Sequence, residues 1–194
     1  MIDGRTIAKY EISDRLYCDE IFILSLTVVE LAKMLAYNII YLIIAFSLSG
    51  LDFSYFGVVY GWQIFTLLTL QSYFQMVAAA GKTMEDAQAK AMPLLFFFIL
   101  FNGFFVTKAT VVVWMEWALY ISPLFYFVQQ VSVELFSDGT DKDDPDYLKS
   151  GQYVVDYYDF QNMKGLAIIV LGLELVAFRV LQIVFLKRLN NPQR

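Results

Sequence analysis

Phe101-Asn102-Gly103-Phe104-Phe105-Val106 is the stretch whose reading decides the fold. An apolar run from Ala91 to Phe101, long enough for a helix, reaches a glycine there, and two bulky aromatic residues follow at once. A few residues later a Trp-rich run, Trp114-Met115-Glu116-Trp117-Ala118-Leu119-Tyr120-Ile121-Ser122-Pro123, ends on proline. The physical reading is a membrane helix plugged at its outer end by aromatic rings, then a segment lying at the interface or dipping into it. That is the profile of a gate.

Composition supports a membrane setting. Of 194 residues, 59% are hydrophobic and 18% aromatic, and the mean hydropathy is +0.56. A soluble domain is about 45–50% apolar, and a small one leaves much of its surface in water, so the bilayer is the natural solvent. The net charge of −5 argues against nucleic acid, which calls for basic patches. With no His and the single cysteine Cys18, the chain holds no internal disulfide, no zinc site of the usual kind and no His-based catalytic group. No catalytic residue is expected. Gly81-Lys82-Thr83 looks like the tail of a phosphate-binding loop, but Met76 stands where the earlier glycine belongs, so no nucleotide site is read there.

Four spans are expected, at about 21–48, 55–80, 91–106 and 165–186, with 109–131 re-entrant or interfacial. The fold class is an all-α membrane protein. Glu30 and Lys33 lie one turn apart in the first span. They read as snorkelling charges near the headgroups or as a pair facing protein, because lone intramembrane charges are expensive. Gly57-x-x-x-Gly61 in the second span is a helix-packing motif. Residues 81–90 read as a polar loop, and Pro93 falls in the first turn of the third span, where proline is tolerated. Trp114, Trp117, Ile121 and Leu124 form one helical stripe, and Trp is expected at headgroup level. Glu174 and Arg179 in the last span stand about 140° apart around a helix and do not share a face.

The segment 134–160 is expected to be an external acidic loop; Glu134 to Asp159 holds eight acidic and two basic residues. No starting Asp satisfies the EF-hand pattern, so a solvated loop without metal is expected. Lys187 and Arg188 abut the last span, Lys82 and Lys90 flank the second loop, and Arg5, Lys9 and Arg15 precede the first span. The positive-inside rule puts these three regions in the cytosol. Four spans then leave both termini cytosolic and the acidic loop outside.

These motifs, in order and spacing, resemble the C-terminal half of the transmembrane domain of a G-subfamily ABC transporter, the white and pleiotropic drug resistance type. The match is carried by Glu11–Tyr17, Gly50-Leu51, Phe101–Val106, Trp114–Pro123, Val133–Phe136, Phe178–Leu181 and Lys187-Arg188. It implies a partial ABC-2 type transmembrane domain over 21–194, preceded by a cytoplasmic lead-in and coupling helix over 1–20. Glu11, Arg15 and Tyr17 would couple to a nucleotide-binding domain. Met92, Leu95, Phe96 and Ile99 would line the substrate cavity, and Phe104 and Phe105 would form the plug, where many members carry Leu.

The resemblance further implies an ATP-driven exporter of lipids or hydrophobic compounds in the plasma membrane. This chain would bind no cofactor; ATP and Mg would sit on a nucleotide-binding domain supplied in cis or in trans. A second transporter half, as homodimer or heterodimer, would complete the pathway. Because the first two spans and the nucleotide-binding domain are missing, the chain is expected to be a fragment of a longer product or a split subunit. The alternative is a truncated, non-transporting subunit that dimerises with a full-length relative and regulates it.

Overall fold

The computed structural model describes residues 19–81, 83–108, 110–139, 142 and 144–190, apart from the side chains of 19, 20, 22, 23, 26 and 187–190. Among them are seven α-helices and no strand: α1 Asp19–Ser49, α2 Phe56–Ala80, α3 Met84–Leu100, α4 Glu116–Tyr120, α5 Pro123–Phe136, α6 Gly151–Tyr157 and α7 Lys164–Asn190. Single 3-10 turns lie at Phe53–Tyr55, Val113–Met115 and Tyr147–Lys149.

Three helices are long and apolar enough to cross a bilayer, over Thr27–Ser49, Phe53–Ala80 and Lys164–Leu186. They lie close to three of the four expected spans. Helix α2 is central and packs most extensively against α7. Contacts fix the directions. Leu42 and Phe46 cluster with Val59, while Glu30 meets Gln71 and Gln75, so α1 and α2 are antiparallel. Thr69 reaches the Leu171 carbonyl and Gln75 meets Arg179, so α2 and α7 run the same way. One end of the bundle therefore gathers the start of α1, the ends of α2 and α7 and the start of α3.

The expected third span differs. Helix α3 begins at Met84 rather than Ala91 and ends at Leu100 rather than Val106. Its start is set by polar chemistry. Thr83 Oγ1 accepts from the Asp86 N–H at 3.2 Å, and Glu85 and Asp86 occupy the first turn, where the helix dipole favours anions. Lys90 pairs with Asp86 at 2.7 Å and donates to the Ala80 carbonyl at 3.2 Å, tying α3 to the end of α2. The expected polar loop is thus mostly helix. Pro93 consequently sits inside α3, where it leaves the Ala89 carbonyl without its helical donor. The apolar part, Ala91–Leu100, rises about 15 Å, about half of a ~30 Å hydrocarbon core.

The re-entrant expectation over 109–131 resolves into two short helices broken at Ile121–Ser122, the second running on to Phe136. Ser122 is fully buried and donates to the Phe98 carbonyl at 3.0 Å. Farther along, Val131 and Leu135 pack on the Leu42–Phe46–Val59 cluster at the α1–α2 turn. The chain dips to the level of Phe98 and climbs back. Ala118, Leu119, Phe125 and Tyr126 are buried with Phe101, Ala167 and Leu171 in the largest core cluster. Of the expected stripe, Trp114, Trp117 and Ile121 are exposed, whereas Leu124 packs against the Tyr73–Phe98 cluster.

The acidic segment is not a simple solvated loop. Helix α6 is capped by Ser150, whose Oγ accepts from the Tyr153 N–H at 3.4 Å. Asp138 accepts from the Gly151 N–H at 2.9 Å. Asp156 gathers Tyr147 Oη at 2.8 Å, Gln152 at 3.1 Å and Lys142 at 3.3 Å. Glu134 and Lys164 form an ion pair that joins α5 to the start of α7. Among the described residues nothing packs on Gly57 or Gly61, since a Cβ at either would meet nothing within 4 Å.

Candidate functional site

Polar side chains inside the bundle converge on one seam between α1, α2 and α7. Glu30 Oε2 accepts from Gln71 Nε2 at 2.8 Å and from Gln75 Nε2. Arg179 donates to Thr27 Oγ1 at 3.0 Å, to Gln182 Oε1 at 3.1 Å and to Gln75 Oε1. Gln75 thus bridges a carboxylate on α1 and a guanidinium on α7. Groups this costly in hydrocarbon persist where partners satisfy them. Glu30 does not pair with Lys33. Glu174 lies away from Arg179, as the spacing predicts, and its Oε2 is buried without a hydrogen-bond partner.

Beside the seam, α1, α2 and α3 enclose an apolar cleft of about 820 Å³. Of the four residues expected to line the substrate cavity, Met92 and Leu95 are in its wall. Phe96 and Ile99 are not; they are exposed on the surface of α3, at 67% and 40%. Met92, Leu95, Phe96 and Ile99 recur at helical spacing, so together they form an apolar face bordering the cleft.

That face leads to the expected plug. Helix α3 stops because Asn102 Oδ1 captures the N–H groups of Phe104 at 2.8 Å and Phe105 at 3.2 Å, a local turn that competes with the helical ladder. Gly103 adopts φ +85°, and a Cβ there would lie 2.9 Å from Phe125 Cδ2. Only glycine combines that backbone with that closeness. The turn presents Phe104 and Phe105 outward, 53% and 66% exposed, with edge-to-face rings 5.8 Å apart.

The two rings do not stand alone. Phe104 stacks on Tyr158 at 5.4 Å and 15°, and Tyr158 stacks on Phe160 at 5.3 Å. From Tyr158 the contacts continue to Tyr157 at 5.1 Å, Tyr153 at 6.0 Å and Tyr147 at 5.7 Å. This aromatic ladder joins the Phe104/Phe105 pair to the acidic segment, where Tyr147 is anchored on Asp156. The hydrogen bond from Tyr147 is the main cause holding the Asp156 carboxyl below its ordinary range. Sequence reasoning missed both ladder and seam. The seam had a signal, since Gln71/Gln75 and Arg179/Gln182 are polar pairs at helical spacing in apolar runs. Glu11, Arg15 and Tyr17 lie outside the described residues.

A bundle with three membrane-length helices is the fold of an integral membrane protein. Residues 1–136 match the ABC-2 type transporter family, and the chain belongs to that family of transporter membrane domains. It is 23% identical over 190 residues to Protein white of Drosophila melanogaster, covering 89% of this chain and 27% of that protein. It is 27% identical over 110 residues to the ATP-dependent permease PDR15 of Saccharomyces cerevisiae, covering 56% and 7%. The ABC multidrug transporter MDR1 of Trichophyton interdigitale is 30% identical over 97 residues, 49% and 6% respectively. These are the white and pleiotropic drug resistance type of relative. The chain spans under a third of each relative's length.

Proposed function

We propose that this chain forms the membrane path of an ATP-driven exporter of hydrophobic compounds or lipids. The observation that carries the reading is the apolar face Met92–Leu95–Phe96–Ile99, which ends at the exposed Phe104/Phe105 pair. An apolar wall suits apolar cargo, and the Asn102–Gly103 turn fixes the two rings where that wall ends. Two of its relatives, an ATP-dependent permease and a multidrug transporter, support the same class. Work is supplied by ATP and Mg on a nucleotide-binding domain, in cis or in trans, that Glu11, Arg15 and Tyr17 contact from the cytosolic side. A second transporter half, of the same or a related chain, completes the path. The acidic segment faces outward from the plasma membrane, with both termini in the cytosol.

Replacing Phe104 and Phe105 by Ala in the complete transporter tests the plug. Loss of seal is expected to raise ATP hydrolysis per molecule exported by about tenfold, the change given by ~1.4 kcal/mol in the closed state. Unaltered transport and unaltered ATP hydrolysis would remove the plug assignment.

A further inference from the structure

The acidic segment returns to the bundle through Gln161, and both backbone groups of that residue are held by neighbouring side chains of α5. Gln129 Oε1 accepts from the Gln161 N–H at 2.6 Å, and Gln130 Nε2 donates to the Gln161 carbonyl at 3.5 Å. Both glutamines are fully buried. Lys108, two residues past the Phe101–Val106 stretch, donates to Gln161 Oε1 at 3.1 Å. The Gln129 amide can face only one way, because the Gln161 N–H needs an oxygen. Its Nε2 is therefore left buried with no hydrogen-bond partner, and a Cβ at Gly103 would lie 3.8 Å from it. A buried donor left unpaired is costly, and an apolar side chain of equal length would avoid that cost. What the amide gains is its hold on Gln161.

We propose that Gln129 is a positioning residue for the Phe104/Phe105 pair: by fixing Gln161 it sets Tyr158 against Phe104. The path from one to the other is short. Phe160 is buried, and Asp159 takes a left-handed φ of +53°, which a short polar side chain tolerates. The turn lays the Tyr158 ring on Phe160, 5.3 Å away and 11° from parallel, and the same ring stacks on Phe104 at 5.4 Å. Among the described residues the rings meeting Phe104 are Phe105 and Tyr158. Phe105 belongs to the same turn, so Tyr158 is the aromatic contact that reaches Phe104 from another segment. The bond at Gln161 thus decides where that contact stands. The inference deepens the plug reading and rests on it: the plug yields only when the segment 158–161 lifts from α5.

The test is hydrogen exchange on the full chain in phospholipid nanodiscs, without ATP or cargo. Gln129→Met keeps the length of the side chain and removes the acceptor. The amides of Phe104 and Phe105, bonded to Asn102 Oδ1, are then expected to exchange about fivefold faster, the factor given by one hydrogen bond. Tyr158→Ala should give the same change, and the double variant no more than either single. Tyr158→Phe keeps the stack and should change nothing. Peptides around Glu30 and Gln71 are the control and should stay as they are. Unchanged exchange at 104–105 in Gln129→Met overturns the proposal. Effects that multiply in the double variant overturn it as well, because they show two independent losses. Gln129→Leu removes the same acceptor and takes the place of the methionine variant if that one does not fold. None of these readings involves transport. Export that survives the replacement of Phe104 and Phe105 would remove the plug reading and leave the link from Gln129 to Phe104 standing.

Discussion

Removing the guanidinium from the polar seam is the most direct test of how the bundle holds together. In Arg179→Met, three hydrogen bonds are lost, to Thr27, Gln75 and Gln182. Interhelical hydrogen bonds in a bilayer average about 0.6 kcal/mol, so the bonds alone account for ~2 kcal/mol. Glu30 also loses its counter-charge. Arg179 reaches Glu30 only through Gln75 and is half-buried, so losing its charge adds less than the ~3–5 kcal/mol of breaking a direct buried pair, and the expected total is ~2–4 kcal/mol. The double variant Glu30→Gln/Arg179→Met should recover about 1–2 kcal/mol, because no lone charge remains and a glutamine at 30 still bonds Gln71 and Gln75. Steric-trapping unfolding in bicelles measures all four corners of the cycle. A coupling below ~0.5 kcal/mol would refute the argument that the two charges act through Gln75 as one unit.

The Asn102–Gly103 turn gives a second prediction with an internal control. Gly103→Ala should destabilise by ~2–5 kcal/mol, from a positive φ and a Cβ 2.9 Å from the fully buried Phe125. Gly50→Ala, with φ +65° and open space around it, should cost only about 1–2 kcal/mol; equal losses in thermal unfolding would deny the contact with Phe125. At Asp156 the folded carboxyl is held below its ordinary 3.8, so its contribution is complete above that value and is lost as the pH falls through the lower folded value. Hydrogen-exchange protection factors across 147–157 should therefore stay flat from pH 7 to pH 5 and fall only below the ordinary carboxylate range. Asp156→Asn should exchange fast throughout, and a transition near neutrality would contradict the Tyr147 anchor.

The helices were legible wherever one physical term dominated. Long apolar runs placed α1, α2 and α7 to within a few residues, because hydrocarbon leaves the backbone little alternative to a helix. The bounds of α3 escaped because capping and side-chain competition set them. Thr83, Glu85 and Asp86 start the helix before its apolar run, and Asn102 stops it before that run ends. Both signals are written in the sequence, but a reading by hydropathy outweighs them. Of the four residues expected at a substrate cavity, Met92 and Leu95 line the cleft and Phe96 and Ile99 do not, since one face of a helix is wider than the groove it borders. The aromatic ladder left no local trace. Phe104 and Tyr158 meet only after the acidic segment folds back over the end of α3.

The seam also sets a clock on biosynthesis. Thr27 and Arg179 are bonded across 152 positions, and at about 5–20 residues per second a ribosome needs ~8–30 s to make that stretch. Through that interval Glu30 has only Gln71 and Gln75 for company, so α1 and α2 can lie together but lack the cation that settles their mutual position. The bundle takes its final register when the last helix arrives. A chain released before Arg179 would carry a carboxylate bonded by amides but without its balancing cation, which gives the cell's quality-control machinery a chemical mark by which to recognise incomplete copies.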